Sequence, residues 1–188
     1  MKLVATPLEA IRTAKHLLYW AWFVHEAVWR GAITSETFTD EIPEGDFRLR
    51  WPPEKRTPDT LALHAWNNVL AAMSVTAIAA DRALDDTFGG PRPRERKPLP
   101  DPATLSDRDA TRTIMYMLRI AYAHEPLSPR WRLDERYRGV FRINELGFVL
   151  DATALDGQPW NIAHVGGPIR YFALLDFCQK LVETAFAP

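Results

Sequence analysis

The chain has 188 residues, 47% of them hydrophobic, and a formal net charge of −1, which fits one globular domain with a substantial core and excludes global disorder. Its single cysteine, Cys178, excludes an internal disulfide and a cysteine-based metal cluster within one chain, and is expected as a buried helix residue. No signal-peptide pattern opens the sequence and no run reads as a membrane span, so the expectation is a cytoplasmic protein with no membrane contact, metal or cofactor.

Taken in order, Thr6-Pro7-Leu8-Glu9 predicts a helix start, with threonine as N-cap, proline at the first helical position and glutamate closing a capping box. Gly31 predicts its end. Between them Leu8, Ile11, Leu18, Trp22 and Trp29 recur at three- and four-residue spacing and define an apolar stripe. His25 falls on that stripe and reads as a core histidine with a satisfied hydrogen bond, because no second ligand stands at a recognisable spacing. Residues 32–58 carry Pro43, Gly45, Pro52, Pro53 and Pro58 and predict an irregular connection.

Asp59 is expected to cap a long second helix reaching Phe88, closed by Gly89-Gly90. Ala71, Ala72, Ser74, Ala77, Ala79 and Ala80 permit close approach of a neighbouring helix, while Trp66, Leu70, Met73, Leu84 and Phe88 add bulk, which predicts a central position. His64, Asn67 and Asn68 read as its polar edge. Asp81, Asp85 and Asp86 beside Arg82 read as a solvated helix end.

A second irregular connection is expected over about residues 90–105, an exposed connector with five prolines and the cluster Arg94-Glu95-Arg96-Lys97. Ser106 with Asp109 opens a third helix that turns Ile114, Met117, Leu118 and Ala121 inward and stops around His124, since Pro126 disfavours helix at Glu125. Alternation over Tyr137–Ile143 and Leu146–Thr153 predicts a small β-hairpin at about 137–153. Gly166-Gly167-Pro168 then precedes a last amphipathic helix through Ile169, Phe172, Leu175 and Leu181, with Ala185–Pro188 as a frayed tail. The whole reads as one mainly α domain over 1–188, a four-to-five-helix up-and-down bundle with a small β-hairpin before the last helix.

Near-neutral net charge hides an asymmetry. Residues Arg92 to Arg142 hold 12 Lys+Arg against 7 Asp+Glu, a basic segment suited either to a polyanion or to keeping a loop-rich region solvated. At 100° per residue Arg108, Arg112 and Arg119 fall within about 40° of one another, a stripe along which a phosphate backbone could lie; Arg130 extends the set of candidate RNA contacts beyond the helix. His124 follows Arg119 by five positions, about 140° away on a regular helix, so a shared cleft requires a distorted last turn or two copies related by a twofold axis. Elsewhere no glycine pair is followed by a phosphate-binding lysine, and no serine sits in a nucleophile elbow.

The pattern Arg119-Ile120-Ala121-Tyr122-Ala123-His124-Glu125-Pro126 at the end of a helix resembles the Arg-x4-6-His hallmark of the HEPN superfamily (higher eukaryotes and prokaryotes nucleotide-binding), four-helix domains, and the chain looks like a divergent member over about Leu8 to Phe186. The resemblance implies a metal-independent ribonuclease acting as a homodimer, with His124 as general acid/base and Arg119 stabilising phosphorane charge. Such enzymes serve as toxins, held by an antitoxin partner, or in defence. Ile120 departs from the polar residue usual after the motif arginine in nuclease members. The alternative is therefore a non-catalytic dimerisation or binding module, for a protein or small ligand, using a tryptophan-rich surface that includes Trp20, Trp29 or Trp51.

Overall fold

In the computed structural model, residues 6–34, 36, 41–44, 47–50, 57–90, 92, 95 and 100–186 are described. Helix α1 (Pro7–Trp29) starts where the capping box predicts: Thr6 Oγ1 accepts the Glu9 N–H at 3.2 Å, while the Glu9 carboxylate accepts the Thr6 N–H at 2.8 Å. Helix α2 (Pro58–Phe88) repeats the device. Thr57 Oγ1 accepts the Thr60 N–H at 3.2 Å and Pro58 takes the first helical position, so the cap is Thr57 and not Asp59, which instead lies in the first turn where its charge favours the helix dipole. Helix α3 (Asp107–Tyr122) is capped by Ser106, and α4 (Pro168–Ala185) follows Gly167.

Cross-helix pairs give the packing directions. Along α1 and α4, Arg12 meets Glu183, Lys15 meets Asp176 and Tyr19 stacks on Phe172, so the two run antiparallel. Along α2 and α3, Tyr122 meets Met73, Arg119 meets Asp81 and Arg112 meets Asp85, again antiparallel. Trp22 packs on Trp66 while Leu17 and Val75 share a groove, which orients α1 against α2 in the same sense. The result is an up-and-down four-helix bundle.

Its core runs from Ile11 and Leu18 through Met73, Ala77 and Leu84 to Ile114, Met117 and Leu118, closed by Tyr171, Leu174, Phe177 and Cys178. Helix α2 touches all three other helices. It is also the one described helix long and apolar enough by composition to match a membrane span, and half of that window is buried in the bundle; its alanines raise its hydropathy while letting neighbours approach. Tyr171 Oη and Thr76 Oγ1 lie 2.9 Å apart in this interior, and both reach the Met73 carbonyl. Two of the apolar positions expected to face inward do not: Ile169, in the first turn of α4, and Trp29, in the last turn of α1, are exposed.

Strands β3 (Val140–Ile143) and β4 (Phe148–Asp151) form the expected antiparallel hairpin, pairing Val140 with Asp151 and Ile143 with Phe148. Phe141, Ile143, Phe148 and Leu150 turn to the core in period two. The turn Asn144–Leu146 ends at Gly147 with φ 55°, a left-handed conformation that favours glycine. The Asp107 carboxylate at the start of α3 accepts the backbone N–H groups of Asn144 and Glu145, both at 2.8 Å, which fixes the hairpin against the bundle.

The 32–58 connection differs from the irregular segment expected. It contains a second two-stranded antiparallel ladder, β1 (Glu41–Glu44) with β2 (Phe47–Arg50), numbered here in chain order. Pro43, within the first strand, obscures it in the sequence, because proline cannot donate to a ladder; Gly45 lies outside the described residues. In the 90–105 connection the described residues include a short helical turn at Pro102–Thr104 and an anchored Arg92. Pro52, Pro53, Pro91, Pro93, Pro98, Trp51, Arg94, Arg96, Lys97, Ala187 and Pro188 lie outside the described residues.

Candidate functional site

Helix α3 brings the motif arginine to the seam with α2. Arg119 Nε lies 3.0 Å from Asp81 Oδ2, an ion pair without the alignment of a hydrogen bond, and its guanidinium sits 5.3 Å from the Tyr116 ring centroid. Its side chain is 40% exposed whereas that of Asp81 is only 4% exposed. Arg92, reaching in from the connector, places Nη2 3.4 Å from the same Asp81 oxygen, also pairs with Asp85 and Glu95, and stacks 4.1 Å over Tyr116.

Arg112 completes the cluster. Only 3% exposed, it donates from Nη2 to Asp85 Oδ1 at 3.2 Å and to the Gly90 carbonyl at 3.4 Å. Three arginines therefore converge on two aspartates four residues apart on α2. Burial pushes the Asp81 carboxyl up to about 6, against the opposing pull of Arg92 and Arg119 and with help from Asp85. For Arg92 burial opposes the charge, but Asp81 and Asp85 outweigh it and raise its pKa above the ordinary arginine value.

This cluster was not legible as a site. Asp81 and Asp85 are not a solvated helix end; they are the acidic side of a buried seam, because their face of α2 is the one that α3 covers. The available signal was the four-residue spacing of two acids on the same face as Ala77 and Leu84, an apolar face that demands counter-charges.

Arg119 and His124 are not brought together within the chain. Helix α3 ends at Tyr122, and His124 stands exposed in the loop that follows. Among the described residues no hydrogen bond or ion pair joins it to Arg119. Nor do the proposed RNA contacts form one stripe. Arg112 is turned inward, where a phosphate would have to displace Asp85. Arg108 is exposed at the start of α3, beside Asp109 and 5.3 Å from the Phe88 ring, and Arg130 is exposed beyond its other end, donating to the Gly157 carbonyl at 3.4 Å. The Arg130 N–H bonds to the Ala121 carbonyl at 3.1 Å, so the helix from Arg108 to Ala121 separates them by roughly 20 Å.

Two histidines outside the motif have structural partners. His164 Nδ1 accepts from Trp131 Nε1 at 2.9 Å and from the Asn161 N–H at 3.2 Å, so its proton sits on Nε2, and burial pushes its pKa below the ordinary histidine value. His25 packs between Trp22 and Trp66, its ring 5.4 Å from that of Trp66, but it is half-buried rather than in the core, and its Nδ1 has no hydrogen-bond partner among the described residues, unlike the satisfied core histidine expected. Beside the loop that carries His124 lies an open cleft of about 310 Å³ between Trp66 and Leu70 on one side and Leu127, Ser128, Pro129, Trp160 and Asn161 on the other. Its walls mix polar and apolar surface and carry no charged side chain. Among the described residues no three potential metal ligands gather.

The chain's outer face carries a different feature. Leu17 and Trp20 on α1 and Val75 on α2 are exposed along a groove shared by the two helices; Phe23, exposed beside Trp20, faces the α4 side with Phe172, and Ile78 is exposed one turn beyond Val75. Compared with known proteins, the chain matches no family model, no curated protein and no solved structure.

Proposed function

We propose that this chain is a non-catalytic helical binding module, HEPN-like in its motif, in which Arg119 serves the fold rather than a phosphodiester. The observation that carries this reading is the 3.0 Å ion pair between Arg119 and the buried Asp81. An arginine that stabilises a phosphorane must be free to meet it, yet releasing Arg119 takes one counter-charge from a carboxylate that is 4% exposed. Ile120, half-buried after the motif arginine, supports the same reading. The uncharged cleft beside His124 supports it further, because RNA affinity rests on cations facing phosphates.

The test incubates the native protein and a His124→Ala variant with labelled total RNA in EDTA. The expected result is that neither cleaves. Cleavage by the native protein that disappears with His124→Ala contradicts the proposal and restores the ribonuclease reading, with Arg119 and His124 as its catalytic pair.

A further inference from the structure

An α-helix that is apolar all round belongs in an interior, and the two turns of α1 over residues 17–24 meet that description. Ala14, Leu18 and Ala21 face the bundle core. The opposite side nevertheless carries Leu17, Trp20 and Phe23, of which Trp20 is 65% and Phe23 64% exposed. Across from them α2 exposes Val75 and, one turn on, Ile78. Between the two helices runs a groove of about 310 Å³ floored by Ala21, Ala71 and Ala72 and walled by Leu17, Trp20, Val24, Asn68 and Val75.

We infer that this α1–α2 face is the surface through which two copies of the chain associate. The inference rests on the reading of the chain as a binding module and names its partner. Shape is the first argument. A twofold contact requires one patch to be complementary to itself, and here a bulky ridge of Trp20 and Phe23 stands beside a groove floored by alanines. The ridge of each copy fits the groove of the other.

Area is the second argument. At roughly 150–250 Å² per aromatic side chain, Trp20 and Phe23 together expose roughly 300 Å². Leu17, Val75 and Ile78, each about half exposed, add roughly 200 Å². A stable interface takes about 800 Å² from each partner, about 60% of it apolar, so the patch supplies about the apolar area one side of a dimer needs. It is also at the upper end of what a monomer leaves in water. Charge is the third argument: no charged side chain lines the groove, so filling it buries no unpaired charge.

A dimer built on this face holds the two α3 helices on its outer sides. It therefore differs from the arrangement in which paired motif helices form a composite nuclease cleft.

The experiment is sedimentation velocity over a dilution series of the native chain, Trp20→Lys, Ala71→Arg and the control Ile169→Lys, whose residue is exposed on α4 outside the patch. All three substituted positions are at or near the surface, and far-UV circular dichroism checks that each variant keeps its helices. The native chain and Ile169→Lys are expected at twice the 21.5 kDa chain mass. Trp20→Lys and Ala71→Arg are expected to associate at least roughly 30-fold more weakly, the loss typical of an interface hot spot. A native chain that stays monomeric overturns the inference, whether or not it floats with phosphatidylglycerol vesicles or captures another protein. A dimer indifferent to both patch substitutions overturns it too. The same samples, assayed on labelled RNA, separate the two claims: a monomer that leaves RNA intact removes the interface alone, and a patch-dependent dimer that cleaves RNA removes the binding-module reading alone.

Discussion

Asp81 offers the sharpest check on the energetics of the α2–α3 seam. Its carboxyl is held at about 6 against an ordinary 3.8, so it is harder to ionise in the folded chain than in the unfolded one. Between those two values the unfolded chain loses its proton first, and the native state loses stability as pH rises. A rise from 3.8 to about 6 corresponds to about 3 kcal/mol, absent below the unfolded value and complete above the folded one. Asp81→Asn keeps the side chain's shape and removes the titration. Arg92 retains Asp85 and Glu95 as partners in that variant, and Arg119 is exposed enough to remain hydrated. Urea denaturation followed by tryptophan fluorescence, at pH values from about 3.5 to about 7.5, then gives the stability of both proteins. The native protein should fall by about 3 kcal/mol relative to Asp81→Asn across that window. A difference that stays flat, or that grows in favour of the native protein as pH rises, would mean that the two arginines outweigh burial and would refute the reasoning.

Two further expectations concern the scaffold. Thr76→Val removes the hydroxyl that donates to the Met73 carbonyl at 2.8 Å and meets Tyr171 Oη at 2.9 Å; the cost should be about 1–3 kcal/mol by urea denaturation, since Tyr171 keeps Met73 as its remaining partner. Gly139→Ala places a Cβ 2.8 Å from Pro102 Cγ at a backbone φ of 143°, and a loss of about 1–3 kcal/mol is expected from strain and crowding together; an unchanged denaturation midpoint would show that Pro102 yields freely.

The helical architecture was legible because its signals are local. Thr6-Pro7 and Ser106 mark helix starts by a side-chain oxygen three residues before an orphan N–H, and Gly89 and Gly167 sit at ends where few other residues fit. The β3–β4 hairpin followed from alternation around Asn144. Some of what failed was local, and the rest depended on partners far along the chain. Thr57 was passed over for Asp59 although it carries the same Thr-Pro arrangement as Thr6. The ladder over 41–50 was hidden by a proline within one strand. At the seam, helical spacing put Arg108, Arg112 and Arg119 on one stripe, but spacing does not say whether water or another helix covers it. Asp81 and Asp85 decided that question, and they lie some thirty residues away in sequence. Likewise Leu17, Trp20 and Phe23 could be read as apolar, but not as the side of α1 that the bundle leaves bare.

The most direct test of the central claim is the equilibrium stability of Arg119→Met, read beside its behaviour toward RNA. Methionine keeps the apolar stem and removes the charge that faces Asp81. If Arg119 serves the fold, the variant loses about 1–3 kcal/mol, less than a fully buried pair because the arginine is 40% exposed, and RNA stays intact with both proteins. Stability equal to that of the native chain, together with an RNA-cleaving activity that vanishes on substitution, would contradict the account and assign Arg119 to catalysis.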